Sequence, residues 1–184
     1  ETAFTVFAEA KKLEAAGNPM IYLGLGQPDF KTPKHIVDAA KKALDDGHHG
    51  YVLSNGILEC RQAVTRKIKK LYNKDVDPER VLIMPGGKPT MYYAIQCFGE
   101  PGAEIIHPTP AFPIYESMIN YTGSTAVPYD LTEDKDLKFN AKKILSLITE
   151  KTRLLILINP NNPTGSFVEK PEIDKLAEGL KKYP

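Results

Sequence analysis

Two short stretches of this chain carry residue types that could hold a charged small molecule. Pro85-Gly86-Gly87-Lys88 comes after the apolar run 81–84 and precedes a helical pattern. Glycines at a strand-to-helix turn let backbone N–H groups converge, and the helix N-terminus adds partial positive charge, so a phosphate fits there. Nucleoside triphosphate binding through a P-loop is disfavoured. Leu82 stands where the first glycine of G-x-x-x-x-G-K-[ST] belongs, and Pro89 replaces the hydroxyl residue that holds magnesium. The plain alternative is a tight turn before a helix. Asn159-Pro160-Asn161-Asn162-Pro163-Thr164-Gly165 comes after a second apolar run, 154–158. Prolines restrict this backbone while asparagine amides offer donors and acceptors, which gives a rigid polar loop where a ligand would lie. Its plain alternative is a strand-to-helix connection.

Other chemistry-bearing residues read as structural. His48 and His49 have no acidic or cysteine partners at metal-ligand spacing, so no metal site is expected. Cys60 and Cys97 lie in apolar helix patterns where burial is expected rather than nucleophilic catalysis, and two isolated thiols fit a reducing cytoplasm. Tyr92 and Tyr93 read as helix packing. Asn120-Tyr121-Thr122 matches a glycosylation sequon of a length that arises by chance, and nothing else points to secretion.

The elements that must position these residues can be located by spacing. Thr32-Pro33 supplies an N-cap and first-turn proline, and Ile36, Val37, Ala40 and Leu44 recur at helical spacing until Gly47. Ile57, Cys60, Val64, Ile68 and Leu71 predict a second helix over 57–72, with Asp77-Pro78 separating it from the next apolar run. Strands are expected at 81–84, 104–107, 124–129 and 153–159, and helices at 88–98, 112–121, 141–148 and 171–182. The run 154–158 is apolar on both alternating faces, as in a strand covered by helices on each side. The alternation predicts an α/β fold of three layers, α/β/α, with a largely parallel sheet. In such sheets ligands lie beyond the carboxyl ends of the strands, where both polar loops fall. The mixed-charge stretch 133–138 reads as a solvated loop.

Composition bounds the partners. Twenty-four basic and twenty-three acidic residues leave a formal charge of +1, with no basic block to track a nucleic acid backbone. No apolar run approaches the roughly 20 residues that span a bilayer. Neither nucleic acid nor membrane is an expected partner. A chain of 184 residues with 42% hydrophobic content can fill a core. It opens at Glu1 and ends at Pro184 directly after a helical pattern, so it reads as part of a longer protein.

Five motifs together are more specific than any one. Gly26-Gln27-Pro28-Asp29-Phe30, the stretch 51–56, Gly86-Gly87-Lys88, residues 108–115 and Asn161-Asn162-Pro163-Thr164-Gly165 occur in the order found in class I and II pyridoxal-phosphate-dependent aminotransferases. The chain resembles the N-terminal part of that family, the aspartate aminotransferase superfamily of fold type I, over essentially its whole length. The resemblance implies residues 1–30 as an N-terminal segment packing with a small domain, and 31–184 as the first part of the large cofactor-binding domain. It implies pyridoxal 5'-phosphate as cofactor, an L-amino acid and a 2-oxo acid as substrates, and a homodimer. Gly86, Gly87 and Lys88 resemble the turn that holds the cofactor phosphate. Phe112 matches the aromatic residue stacked on the pyridine ring, which residue type alone would place in a core. Asn162 matches the asparagine that hydrogen-bonds the phenolic oxygen. Tyr51 resembles the tyrosine that reaches the neighbouring subunit's cofactor phosphate, and Gly26 the glycine whose amide approaches the substrate carboxylate. In a similar branch of the family a lysine at the position of Lys88 helps hold the side-chain carboxylate of aspartate or glutamate; Pro89 departs from the commoner residue after it. The Schiff-base lysine, the aspartate at the pyridine nitrogen and the arginine for the substrate carboxylate are all expected beyond Pro184, so these 184 residues alone would not catalyse the reaction. Carbon–sulfur lyases and synthases of the same fold share these motifs, and a non-catalytic binding protein could keep the scaffold. A nicotinamide-dependent dehydrogenase is a weaker alternative, because G-x-G-x-x-G is absent after every predicted strand.

Overall fold

A computed structural model describes residues 2–24, 26–132 and 136–183. They fall into two compact units, residues 1–82 and 83–184. Residues 133–135 of the mixed-charge stretch lie outside the described residues.

The first unit holds helices α1 (Thr2–Ala15), α2 (Lys34–Asp45) and α3 (Leu58–Tyr72), then a 3-10 turn, Pro78–Arg80. Helix α1 is not among the elements expected from spacing, since its run of Ala, Glu, Lys and Leu draws more on intrinsic propensity than on a clean apolar stripe. The chain after α1 is tied back to it: Tyr22 lies 5.5 Å from Phe7 between ring centroids, and its hydroxyl donates to Glu14 Oε2 at 2.9 Å. Helix α3 is fastened by Arg61, whose side chain is only 2% exposed. Its Nε donates to Gly56 O at 3.1 Å, and its Nη1 donates to Pro78 O at 3.1 Å and to Glu79 Oε1 at 2.7 Å. A buried guanidinium is tolerated when its N–H groups find such acceptors. The cap position of α2 is Pro33, not Thr32, and no side chain caps it.

The second unit is layered. Strands β1 (Glu104–Thr109), β2 (Thr125–Asp130) and β3 (Thr152–Leu155) form a sheet in the order β2-β1-β3 with both pairings parallel. Ile105 faces Ala126 and Leu154 across the ladders, and Ile106 faces Val127 and Leu155. Side chains alternate across a sheet, so these two isoleucines, both 0% exposed, feed two different cores. Ile105 packs with Ile95 of α4 (Gly87–Phe98) and Ile119 of α5 (Ile114–Tyr121). Ile106 packs with Tyr129, Phe139, Ile144 of α6 (Ala141–Ser146) and Leu176 of α7 (Lys170–Leu180). The expected α/β/α arrangement with a parallel sheet is therefore present as part of a domain. Leu154 and Leu155 pack on opposite clusters, as the two-sided apolar pattern predicted.

Three expectations need correction. Residues 81–84 join no ladder among the described residues, because a strand needs a partner as well as an apolar run. The last strand is shorter than 153–159: its ladder covers Thr152–Leu155, one further bond runs from Ile156 N to Ile106 O, and the chain then leaves the sheet. Cys60 and Cys97 are exposed rather than buried. On α4 the buried residue is Ile95, and two residues further on turns Cys97 about 200° away from it; on α3 the buried residue is Arg61, not its neighbour Cys60. Among the described residues no helix is long and apolar enough to cross a membrane.

Helices α6 and α7 approach closely at Gly179, where an added Cβ would overlap the Leu145 side chain, its Cδ2 at 2.8 Å and its Cγ at 3.1 Å. Alanine gains about 1 kcal/mol of helix propensity, whereas overpacking costs about 1–3 kcal/mol. Gly179→Ala should therefore lower the thermal midpoint, and an unchanged or raised midpoint would mean that Leu145 moves aside freely. His107 supplies a pH dependence. It is 5% exposed in the central strand, and burial lowers its pKa, partly offset by the carbonyl of Pro108 and by Glu116. The unfolded chain gains a proton near pH 6.5, which the folded chain refuses until lower pH. Stability should fall as pH drops below about 6.5, and His107→Gln should flatten that slope in melts taken between neutral and mildly acidic pH.

Candidate functional site

The parallel sheet brings the carboxyl ends of β1 and β3 to one edge, so the loops leaving them open side by side. After β1 the chain runs through Pro110, Ala111 and Phe112 before α5 starts at Ile114 with Pro113 at its cap position. The predicted helix over 112–121 thus begins two residues late, which leaves half-buried Phe112 in the loop rather than in a helical face. After β3 the chain runs into the asparagine–proline loop. Peptide bonds preceding Pro110, Pro160 and Pro163 are cis.

Neutral hydrogen bonds close the second loop. Asn159 exchanges a pair with Val168, its Nδ2 donating to the carbonyl at 3.0 Å and its Oδ1 accepting from the amide at 2.9 Å. Asn161 N donates to Ser166 O at 2.9 Å, and Gly165 N donates back to Asn161 O at 2.8 Å. Inside this frame Asn161 is buried and Asn162 is exposed. The Asn161 amide donates to Thr164 Oγ1 at 2.9 Å and crosses to Pro110 O at 3.3 Å. Its Oδ1 is buried without a partner. Sequence motifs single out Asn162 and pass over Asn161. The available signal was Thr164 three residues on, a spacing at which short polar side chains bond locally.

At the glycine turn, Gly86 adopts φ +98 at the N-cap of α4, a left-handed conformation that a Cβ would strain. Gly86 N–H turns back to Met84 O at 2.8 Å, so that amide serves the turn itself. The first amides of a helix point out of its N-terminus, and here Pro89 contributes none, which concentrates the donors of the cradle on its opening residues. A Cβ on Gly86 would have no atom within 4 Å, so the turn faces open space. No carboxylate occupies the first turn of α4, and Lys88 stands there. Lys88 Nζ lies 5.6 Å from the centroid of the Phe112 ring, which brings the glycine turn and the loop after β1 together. An open pocket of about 330 Å3 borders Lys88, Pro89, Tyr92, Tyr93 and Ile114. Tyr92 is half-buried and packs as expected, edge to face with Tyr93 at 5.1 Å and 6.4 Å from Tyr121, while Tyr93 itself is exposed.

The second unit thus gathers Gly86, Gly87, Lys88, Phe112 and the Asn162 loop, while Gly26 and Tyr51 are exposed residues of the first unit. A larger groove, about 830 Å3, runs along β3 and is bordered by Phe98, Ile148, Leu180 and Tyr183. Its lining residues include none of Gly86, Gly87, Lys88, Phe112 and Asn162. Among the described residues no three potential metal ligands come together.

Known proteins share this arrangement. The chain is 38% identical over 168 residues to the probable aspartate aminotransferase of Methanocaldococcus jannaschii, covering 91% of this chain and 44% of that protein. It is 33% identical over 177 residues to the aspartate aminotransferase of Bacillus subtilis, covering 96% of this chain and 45% of the relative. Among solved structures, an alanine aminotransferase from Pyrococcus furiosus superposes with a TM-score of 0.92 at 30% identity over 98% of this chain and 47% of that one. The aspartate aminotransferase from Thermus thermophilus with maleate also gives 0.92, at 30% identity, covering 99% of this chain and 48% of its own. The chain therefore spans less than half the length of these relatives. The model of the family described as aminotransferase class I and II matches residues 18–184, and the chain belongs to that family.

Proposed function

We propose that this chain forms part of a pyridoxal-phosphate-dependent aminotransferase that moves an amino group from an L-amino acid, aspartate or glutamate by preference, to a 2-oxo acid. The observation that supports it best is the convergence of an open, carboxylate-free helix N-terminus at Gly86-Gly87-Lys88 with the Phe112 ring, 5.6 Å from Lys88 Nζ, beside the loop that carries Asn162.

These residues fit the cofactor. The turn at Gly86 and Gly87 has room for a phosphate, and the end of α4 together with Lys88 favours negative charge there. Phe112 offers a ring face for stacking. Asn162 offers an amide donor to a phenolic oxygen and so favours its ionised form. Bound pyridoxal phosphate supplies the electron sink that amino-group transfer requires. What this chain does is bind its phosphate, flank its ring and set the charge on that oxygen. The lysine that bonds the cofactor is assigned to a part of the protein beyond residue 184, as the 44–45% coverage of the two relatives allows. Gly26 is assigned to the substrate carboxylate and Tyr51 to the phosphate of a partner subunit in a homodimer. Residues 1–30 are assigned to a segment against a small domain and 31–184 to the large domain. The free thiols of Cys60 and Cys97 suit the cytoplasm. The aspartate preference rests on Lys88 and on the two relatives named as aspartate aminotransferases.

The direct test incubates the full-length protein, loaded with pyridoxal phosphate, with aspartate and 2-oxoglutarate. Glutamate and oxaloacetate should appear in equal amounts, and cleavage products without a 2-oxo acid acceptor would replace the proposal with a lyase. Lys88→Ala should lower kcat/KM for aspartate by roughly tenfold or more, the worth of one charge-assisted contact, and affect alanine much less. Equal losses would mean that Lys88 serves the phosphate alone. In Asn162→Ala, loss of the donor should raise the apparent pKa read from the bound cofactor's absorption, and a titration like the wild type's would remove Asn162 from the site.

A further inference from the structure

Asn161 is 6% exposed, and both N–H directions of its amide are in use, toward Thr164 Oγ1 at 2.9 Å and Pro110 O at 3.3 Å. Proline's carbonyl can only accept, so the amide nitrogen must face it, and the orientation of the side chain is not interchangeable. That orientation leaves Oδ1 buried with no donor. A buried amide is usually satisfied on both ends, so an oxygen with no donor among the described residues calls for a reason, while the two bonds of the amide nitrogen show what the side chain holds together. Its hydrogen bond to Pro110 joins the loop after β1 to the loop after β3. Pro110 lies two residues before Phe112, and Asn161 immediately precedes Asn162.

We propose that Asn161 is a positioning residue that locks the two loops together, so that Asn162 and Phe112 are presented to the cofactor as one rigid piece. This rests on the reading of Asn162 and Phe112 as cofactor contacts. The strut acts at both its ends. At Thr164 it stiffens the frame around Asn162, since the same Oγ1 also accepts from Ser166 N at 3.2 Å and meets Ser166 Oγ at 2.8 Å. At Pro110 it fixes the approach to Phe112. Loss of the strut leaves each loop attached to its own strand but removes the bond that sets one against the other. The Asn162 amide then spends less time at the angle a strong hydrogen bond requires.

The experiment uses the full-length protein loaded with pyridoxal phosphate and titrates the bound cofactor's absorption against pH. Asn161→Ala should raise the apparent pKa in the same direction as Asn162→Ala. The double variant should match Asn162→Ala alone, because the effect of Asn161 passes through its neighbour. Thermal melts are run beside it, since a merely structural asparagine would lower the midpoint without moving the titration. Should Asn161→Ala fail to fold, Thr164→Val keeps the side-chain shape, removes one end of the strut, and should shift the titration upward by a smaller amount. A wild-type titration in Asn161→Ala, or in Thr164→Val where only that variant folds, overturns the proposal, as does a double variant whose shift is the sum of the two single shifts. If Asn162→Ala itself titrates like the wild type, the reading of Asn162 fails and this proposal fails with it; a shifted Asn162→Ala beside an unshifted Asn161→Ala overturns this proposal alone.

Discussion

The second unit depends on one central strand that is buried on both faces and paired in parallel on both edges. Ile105 and Ile106 are adjacent in the chain yet belong to opposite cores, one under α4 and α5 and the other under α6 and α7. Each fully buried isoleucine stabilises by roughly 1.5–3 kcal/mol, while a neutral hydrogen bond in a loop contributes about 1 kcal/mol. The rigidity of the polar loops is therefore borrowed from the sheet beneath them. Parallel pairing also requires that every connection return to the starting edge through a crossover. The chain leaving β1 and the chain leaving β3 thus emerge together, and a ligand at that edge meets both.

Above the sheet the interactions change character. The loop after β3 is held by amides, hydroxyls and carbonyls, and its prolines remove donors that would otherwise need partners. Charge enters from the side, through the N-terminus of α4 and Lys88. This division suits an anionic ligand. Neutral groups fix geometry without competing for its charge, and the helix end and ammonium group attract it. The first unit uses charge differently: Arg61 is buried to fasten α3, and its partners are two carbonyls and one carboxylate rather than a ligand.

Much of this arrangement was legible from residue order. Helical spacing located α2 to α7 within a few residues, because a stripe of apolar side chains survives small errors in its ends. The glycine turn and the asparagine loop were visible because glycine and proline restrict the backbone locally, whatever packs around them. Cys97 was misplaced for a simple reason: an apolar residue within a helical pattern need not lie on the stripe, and Ile95 took the buried face. Residues 81–84 carry a strand-like apolar run yet stay outside the sheet, because pairing is a property of two segments, and one segment's sequence does not state its partner.

The sequence by itself determined the family, the layer order and the position of the glycine turn and the asparagine–proline loop, since backbone punctuation and hydrophobic period act within a few residues. Only the tertiary structure decided which asparagine faces inward. Asn161 and Asn162 have the same side chain and adjacent positions, and their difference arises from Pro110, 51 residues away, whose carbonyl claims one amide and leaves the other exposed. It also set Lys88 over Phe112, a contact between the starts of two helices that the central strand separates in sequence. Long-range packing against β1 brings such pairs together, and no local spacing records it.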